Sequence, residues 1–295
     1  MDICGTPERP LIFRDSNPGH VSTTPGGVGR NIAQNLSMLG VDVRMLTVLG
    51  GDAYAAQIEK SCTDAGIDMS LALHVPGVPS SIYLYITDEN SDMALGISDM
   101  SICEYLTPEY LQRNKRLLDE SAVIVADTNL PAETVRWLAH ECRPPLIVDP
   151  VSANKAKRLV GSLGGIDTLK PNRVEAEMLT GIRIETQKDA RRAIRELLNA
   201  GVRRVFLTLG SEGVLCTDGS ETLFLPCCPG RIVSTTGCGD SFTAAVTEAR
   251  LDGCSLRRSA QMGLAAGALT AAGSLTVSTE MSLERLNTII KENFE

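Results

Sequence analysis

Between residues 122 and 210 the chain sets short, wholly apolar runs between helical stretches, and that alternation narrows the fold more than any other feature. AVIVAD (122–127) and LIVDP (146–150) carry no polar side chain before their aspartates. A strand with apolar residues on both faces must be covered on both faces, which is the condition of a parallel sheet between helical layers. RVFLTLG (204–210) has the same texture. The intervening segments read as helices: PAETVRWLAHE (131–141) with Pro131 in its first turn, RVEAEMLTG (173–181) ended by Gly181, and DARRAIRELLNAG (189–201), also ended by glycine. IDTLKPN (166–172) reads as a further strand.

Upstream, a helical GGVGRNIAQNLSML (26–39) leads into VRMLTVLG (43–50) and a second helix, DAYAAQIEKSCTDAG (52–66). Downstream, GVLCTD and TLFLP read as a hairpin. Three helices follow, in SFTAAVTEARLDG, SLRRSAQMGLAAGALTAAG and SLERLNTIIKENF. One stretch breaks the rhythm. In SSIYLYITDENSDMALGIS (80–98) two β-rich runs flank Asp88, Glu89, Asn90 and Ser91, which predicts a hairpin standing off the main sheet. The expectation is an α/β fold over residues 1–295, one domain, with a mostly parallel sheet, helices on both faces and a small β appendage.

Composition excludes several function classes. Hydrophobic residues make up 43% of the chain, enough for a large core, and no apolar run is long enough to span a membrane. The net charge is −8, and no basic stripe with interleaved aromatics occurs, so nucleic acid is not expected as a partner. The nine cysteines are scattered, form no C-x-x-C pair and share the chain with three histidines. Zinc ligation and a disulfide framework both read poorly, and reduced thiols used as small apolar residues are expected. MDICGTPERP shows no secretory signal, which points to the cytoplasm.

In such sheets ligands lie beyond the carboxyl ends of the strands. PGGVGRNIA (25–33) superficially matches a dinucleotide fingerprint, but polar DSNPGHVSTT precedes it where an apolar strand is required. Gly26 and Gly27 instead let a ligand approach the backbone closely, and Asn31, one turn into the helix, can serve vicinal hydroxyls as donor and acceptor. The plainer alternative is a helix start with a surface asparagine. In KPNRVEAEMLTG (170–181), Asn172 and Glu175 are three apart at a helix start, spaced to organise a hydrated Mg²⁺. The same spacing is that of a capping box, with Asn172 as N-cap. TLGSEG (208–213) places Thr208, Gly210, Ser211 and Gly213 after an apolar strand, which suits a nucleotide's phosphates or ribose, or a simple chain reversal.

The richest motif is RIVSTTGCGDSF (231–242). Gly237, Cys238 and Gly239 offer successive backbone N–H groups at the N-terminus of an apolar helix, an anion site. Asp240, at the same helix end, is expected to stay ionised and to accept a proton from a substrate hydroxyl; a bare cap is the alternative. A helix N-terminus also activates thiols, but no histidine partners Cys238 in sequence, so a small-residue role is expected of its side chain.

In this order, PGGVGRNIA, KPNRVEAE, TLGSEG and TTGCGDSFTAA resemble the ribokinase-like, PfkB-type carbohydrate and nucleoside kinases over essentially the whole chain. Cys238 stands where that family usually has alanine. Within the family, DSNPG (15–19), SDMS (98–101) and DPVSA (149–153), taken with the first two motifs, are most similar to the branch that phosphorylates the 5′-hydroxyl of the C-linked nucleoside pseudouridine. The resemblance implies ATP near TLGSEG and the carboxyl-terminal helices, Asp240 as base, and the N–H groups of 237–239 as the anion hole. It implies Mg²⁺ held through water by Asn172 and Glu175, and ribose gripped by Asp2, Gly27 and Asn31. Ser16, Asn17 and Asp99 are candidate base contacts, and Ser234 and Thr236 candidate K⁺ neighbours. Segments 11–24 and 80–98 would form the lid, with a homodimer through it. The family has a strand before its sugar-binding aspartate; here that residue matches Asp2, which implies a sheet lacking its first strand. The readings left open are a kinase of another sugar or nucleoside, and a sugar-binding regulator without catalysis.

Overall fold

The computed structural model describes residues 1–88 and 93–295. In chain order its first part runs β1 (Asp2–Pro7), β2 (Gly19–Thr24), α1 (Val28–Met38), β3 (Val48–Gly50), α2 (Ala53–Asp64), β4 (Leu73–Val75), β5 (Ile82–Thr87) and β6 (Met93–Asp99). The middle comprises α3 (Pro108–Arg113), α4 (Lys115–Glu120), β7 (Ile124–Asp127), α5 (Ala132–Glu141), β8 (Leu146–Asp149), α6 (Ala153–Ala156), β9 (Thr168–Leu169), α7 (Arg173–Thr180) and α8 (Gln187–Asn199). The last part is β10 (Arg204–Thr208), β11 (Val214–Thr217), β12 (Thr222–Leu225), α9 (Cys238–Leu251), α10 (Leu256–Ala271) and α11 (Leu283–Phe294).

The principal sheet has the order β12-β11-β10-β9-β8-β7. Its four strands from β7 to β10 are parallel, and β11 and β12 add antiparallel at one end. β10 shows why its sequence is apolar throughout. Val205 and Leu207 point into a core with Leu138, Ile194 and Leu197. Phe206, between them, points into the other core, with Phe242, Met262 and Leu286. Both faces are therefore covered, as the sequence predicts. Helix starts carry their own signals: Asp52 and Thr186 cap α2 and α8, and Gly181 ends α7 with φ 69°.

A second, four-stranded sheet has the order β2-β1-β5-β6. The predicted 80–98 hairpin supplies only half of it, and the predicted turn residues Glu89, Asn90 and Ser91 lie outside the described residues. β1 and β2 form the other half, so the 11–24 lid segment is a loop followed by the strand Gly19–Thr24. Within the apolar run 43–50 only Val48–Gly50 forms a strand, paired with β4. The pairing register sorts the lid's side chains. Asp2 lies opposite Tyr83 and Cys4 opposite Tyr85, which puts these four on one face. Ile3, Leu84 and Ile97 share the other face with Ile86, Leu95 and Val21. Asp2 packs on Gly26, so its face looks toward the main sheet. The apolar face looks outward, with Val21 at 75% and Ile97 at 58% exposure.

Packing in the helical layer leaves a clear test. A Cβ on Gly263 of α10 would meet the Phe242 ring at 2.7 Å. That ring is 4% exposed and packs edge-on against Phe206 at 6.1 Å, which limits its escape. Alanine normally gains about 1 kcal/mol over glycine in a helix, but overpacking costs about 1–3 kcal/mol. Gly263→Ala is expected to lower the melting temperature by several degrees, and a rise would show that the ring yields freely.

Candidate active site

Helix α9 enters from a tight turn. Gly237 has φ 86°, and a Cβ on it would overlap the Thr276 carbonyl oxygen at 2.0 Å, so only glycine fits. Among the described residues the N–H groups of Gly237 and Gly239 have no partner, while the Cys238 N–H makes a long 3.3 Å bond to the Thr235 carbonyl. Asp240 is in the first turn, and its Oδ2 accepts from Asn31 Nδ2 at 2.8 Å. This bond joins α1 to α9, two motifs 209 residues apart.

The helix end alone does not set the charge of Asp240. Burial and the nearby carboxylate of Asp149 push its carboxyl up to about 7, against the opposing pull of the Asn31 bond and Lys170. These terms outweigh the helix end, so the group titrates near neutrality, where a general base is most effective. The Cys238 thiol is pushed up to about 11, chiefly by burial, and holds no activated thiolate.

Behind the turn lies a charge pair that the sequence reading missed. Lys170 Nζ lies 2.8 Å from Asp149 Oδ2, both side chains at most 6% exposed. Thr243 donates to the same oxygen at 3.0 Å, and the Val151 N–H bonds Asp149 Oδ1. A Cβ on Gly239 would approach the Lys170 ammonium to 2.9 Å. The turn thus carries a fixed cation beneath its backbone donors. The Lys170 pair with Asp149 keeps the ammonium charged, with its pKa raised despite burial.

Asp2 lies against Gly26, with Arg30 close enough to act on it; burial holds the Asp2 carboxyl above its ordinary value. Gly27 is the N-cap of α1, at φ 103° with open space beside it. Asn172 and Glu175 form the capping box: Asn172 N–H and Nδ2 each donate to a Glu175 oxygen at 2.8 Å, and Glu175 N–H donates to Asn172 Oδ1. Thr208 bridges to Asn172 and bonds Pro171, and Gly210 and exposed Ser211 follow at the β10 end. Gly213 has a local reason: its Cβ would overlap the Leu225 carbonyl oxygen. Ser234 Oγ accepts from the Thr236 N–H in the loop before α9.

Three candidates stand apart. Asn17 ties up its own loop, bonding both the N–H and the carbonyl of Ile12, and the Ser16 N–H bonds Asp15. Asp99 accepts from Ser101 at the end of β6, and its register partner Ile82 puts it on the lid's outward face.

A model of the pfkB family carbohydrate kinases matches residues 7–281. The chain belongs to the PfkB family. It is similar to the pseudouridine kinase of Escherichia coli K12, 33% identical across all of this chain and 95% of that one. An uncharacterised sugar kinase of the same organism is 37% identical over 95% of this chain and 78% of its own. The fold superposes on Arabidopsis thaliana ribokinase, solved with ribose and ATP, with a TM-score of 0.85 at 22% identity, covering 98% of this chain and 95% of that one.

Kinases of the PfkB, ribokinase-like kind use ATP and Mg²⁺. Among the described residues of this PfkB chain no three His, Cys, Asp or Glu side chains gather around one point. Glu175 is 2% exposed with an oxygen bonded to each Asn172 donor, so it fits a role through water and not direct ligation. Sequence reading also passed over Asp127, Tyr83 and Tyr85. Asp127 Oδ2 accepts from the Gly29 N–H, pinning the start of α1. Tyr83 and Tyr85 stack at 5.4 Å on the face that carries Asp2. Residues 80–87 read only as a strand; the tyrosines' common face needed the β1 register.

Asp240 also leaves a mark on stability. Its folded pKa is raised from 3.8 to about 7, so the folded chain holds the proton more tightly. The stability gained is full below about pH 4 and is lost as pH rises through 7. Asp240→Asn is therefore expected to melt higher than the native chain at pH 8.5, with the gap closing toward pH 4 in thermal scans. A gap independent of pH would contradict the placement of this carboxyl.

Proposed function

We propose that this chain transfers the γ-phosphoryl group of ATP to the 5′-hydroxyl of a nucleoside, and that the nucleoside is pseudouridine. The observation carrying the proposal is the Asn31–Asp240 bond, which places the sugar-side motif and the anion turn at one point. Ribose would lie against Asp2, Gly27 and Asn31, with its 5′-hydroxyl toward Asp240. The Tyr83–Tyr85 pair, across from Asp2, offers a flat face for the base. ATP would extend from the 237–239 turn toward Thr208, Gly210 and Ser211, with Ser234 and Thr236 able to face a K⁺ ion.

In the reaction Asp240 takes the hydroxyl proton as the oxygen bonds to the γ-phosphorus, and the bond to the β-phosphate oxygen breaks to release ADP. Transfer of this kind depends on position and charge. The Gly237 and Gly239 N–H groups and the Lys170 ammonium hold charge on the transferred group without reorganising. Mg²⁺, when bound with ATP, supplies further neutralisation of the phosphates. The lid's inward face excludes water, which protects ATP from hydrolysis. Its outward apolar face suits a second copy of the chain, and we propose a homodimer through it. The nine free thiols suit a reducing compartment, and we place the reaction in the cytoplasm. The similarity to the Escherichia coli enzyme favours pseudouridine over other nucleosides.

A coupled ADP-release assay with pseudouridine, uridine, guanosine and ribose tests the substrate; pseudouridine is expected to give the highest kcat/KM. Asp240→Asn is expected to lower kcat at least about a thousandfold while leaving nucleoside binding within a few-fold, and Cys238→Ala to keep most of it. Near-native turnover of Asp240→Asn would remove the base, and collapse of a folded Cys238→Ala would restore the thiol. No phosphorylation of any acceptor would favour a binding protein.

A further inference from the structure

Of the described non-glycine residues only Arg14 and Val151 have positive φ. Arg14 lies in an exposed loop, whereas Val151 is half-buried, at φ 63°, just past Asp149. A β-branched residue is rarely found at such an angle, because its side chain crowds the backbone. The Ser152 N–H bonds the Pro150 carbonyl at 2.6 Å. That closes a γ-turn centred on Val151, in the positive-φ form that is rare and strained. Such strain persists only where the surroundings over-determine the backbone.

Here the surroundings act on a single peptide plane. The Pro150 carbonyl accepts from the Thr128 hydroxyl. The Val151 N–H, at the other end of the same plane, donates to Asp149 Oδ1 at 2.9 Å. A planar peptide cannot turn one end without the other. Thr128 is fully buried, and its own N–H holds the Asp149 carbonyl at 3.2 Å. Ser152 caps α6 directly after the turn. With the plane fixed on one side and α6 starting on the other, Val151 is left with the strained angle. Glycine would take that angle without strain but would leave the turn free to sample others.

The plane acts on Asp149. With the Val151 N–H on Oδ1, the carboxylate is fixed in rotation, and Oδ2 takes Lys170 and Thr243. Lys170 lies beneath the Gly239 backbone, and Thr243 belongs to α9. This one oxygen therefore ties the buried ammonium to the helix that carries the anion turn.

We propose that Thr128 and Val151 are positioning residues for the phosphoryl transfer read above, on which this inference rests. Thr128 clamps the Pro150–Val151 peptide against the strain at Val151. The clamped N–H holds the Asp149 carboxylate in the rotation that sets Lys170 under the anion turn.

The test is a double-mutant cycle in the full chain. Val151→Gly keeps the turn without its strain and is expected to raise the melting temperature by about 2 °C or more. A fall would overturn the strain. Thr128→Val removes the hydroxyl at nearly constant volume, which frees the peptide to rotate and relieve Val151. Amide exchange at Ser152 is then expected to speed about tenfold or more. kcat is expected to fall about tenfold or more, with the nucleoside KM nearly unchanged. Thr128→Ser, which keeps the hydroxyl, should retain most of both. Adding Val151→Gly to Thr128→Val should restore both Ser152 protection and most of kcat, since glycine needs no clamp. A general loss of packing at residue 128 would not be rescued in this way.

A Thr128→Val chain that keeps its turnover overturns the proposal, as does a double variant that regains the turn and not the turnover. If Thr128→Val does not fold, the double variant decides: a folded, active chain upholds the proposal and an unfolded one overturns it. The two readings separate. A native chain that phosphorylates no acceptor removes the kinase, while Ser152 protection regained in the double variant still upholds the clamp. A native chain that turns over and ignores Thr128→Val upholds the kinase and removes the clamp.

Discussion

The buried Lys170–Asp149 pair is the constraint on which the site depends. Strand order creates it. β8 and β9 are parallel neighbours with Val148 opposite Leu169, so the next residue of each strand, Asp149 and Lys170, meets at the carboxyl ends. Neither charge is tolerable alone at this depth, and removing one partner of such a pair typically costs about 3–5 kcal/mol. The pair is not retained for stability, since apolar residues of similar volume would pack there at less cost. Its use is in what it faces. The ammonium underlies the Gly239 backbone, and the carboxylate faces Asp240 and raises its pKa. One ion pair thus supplies the cation for an incoming phosphate and poises the base for a hydroxyl proton.

The layers of the fold were legible because each signal was local. The apolar runs at 122–127 and 146–150 can only be covered strands, and Asp52, Thr186 and Gly181 mark helix ends within a few residues of themselves. The lid was half legible. β5 has strand texture, but β2, GHVSTT, is exposed at every residue and has no apolar period to read. It exists because β1 offers it an edge, a fact of pairing and not of its own sequence. Of the site, Asn31 and Asp240 were legible from glycines and helix starts. Lys170 and Asp149 were not, because a lone lysine and a lone aspartate at two strand ends carry no signal until strand order makes them neighbours. Asn172 and Glu175 show the opposite limit. Their spacing fits a cap and a water-held ion equally, and the structure makes them a cap that leaves the second use open.

The same dependence on edges runs through the rest of the molecule. The lid turns a polar, aromatic face with Asp2 toward Gly26 and leaves an apolar face outward. The phosphate side is braced separately, by the Lys170–Asp149 pair and the Thr243 hydroxyl that bonds it.

The most direct measurement of this account is the titration of the Asp240 carboxyl by ¹³C NMR, assigned by its loss in Asp240→Asn. Burial beside Asp149 predicts an inflection at about 7. The opposing charge of Lys170 predicts that Lys170→Met, if folded, moves that inflection upward. An Asp240 carboxyl that titrates near its ordinary value of 3.8, unmoved by loss of Lys170, would contradict the charge arrangement from which the site has been built.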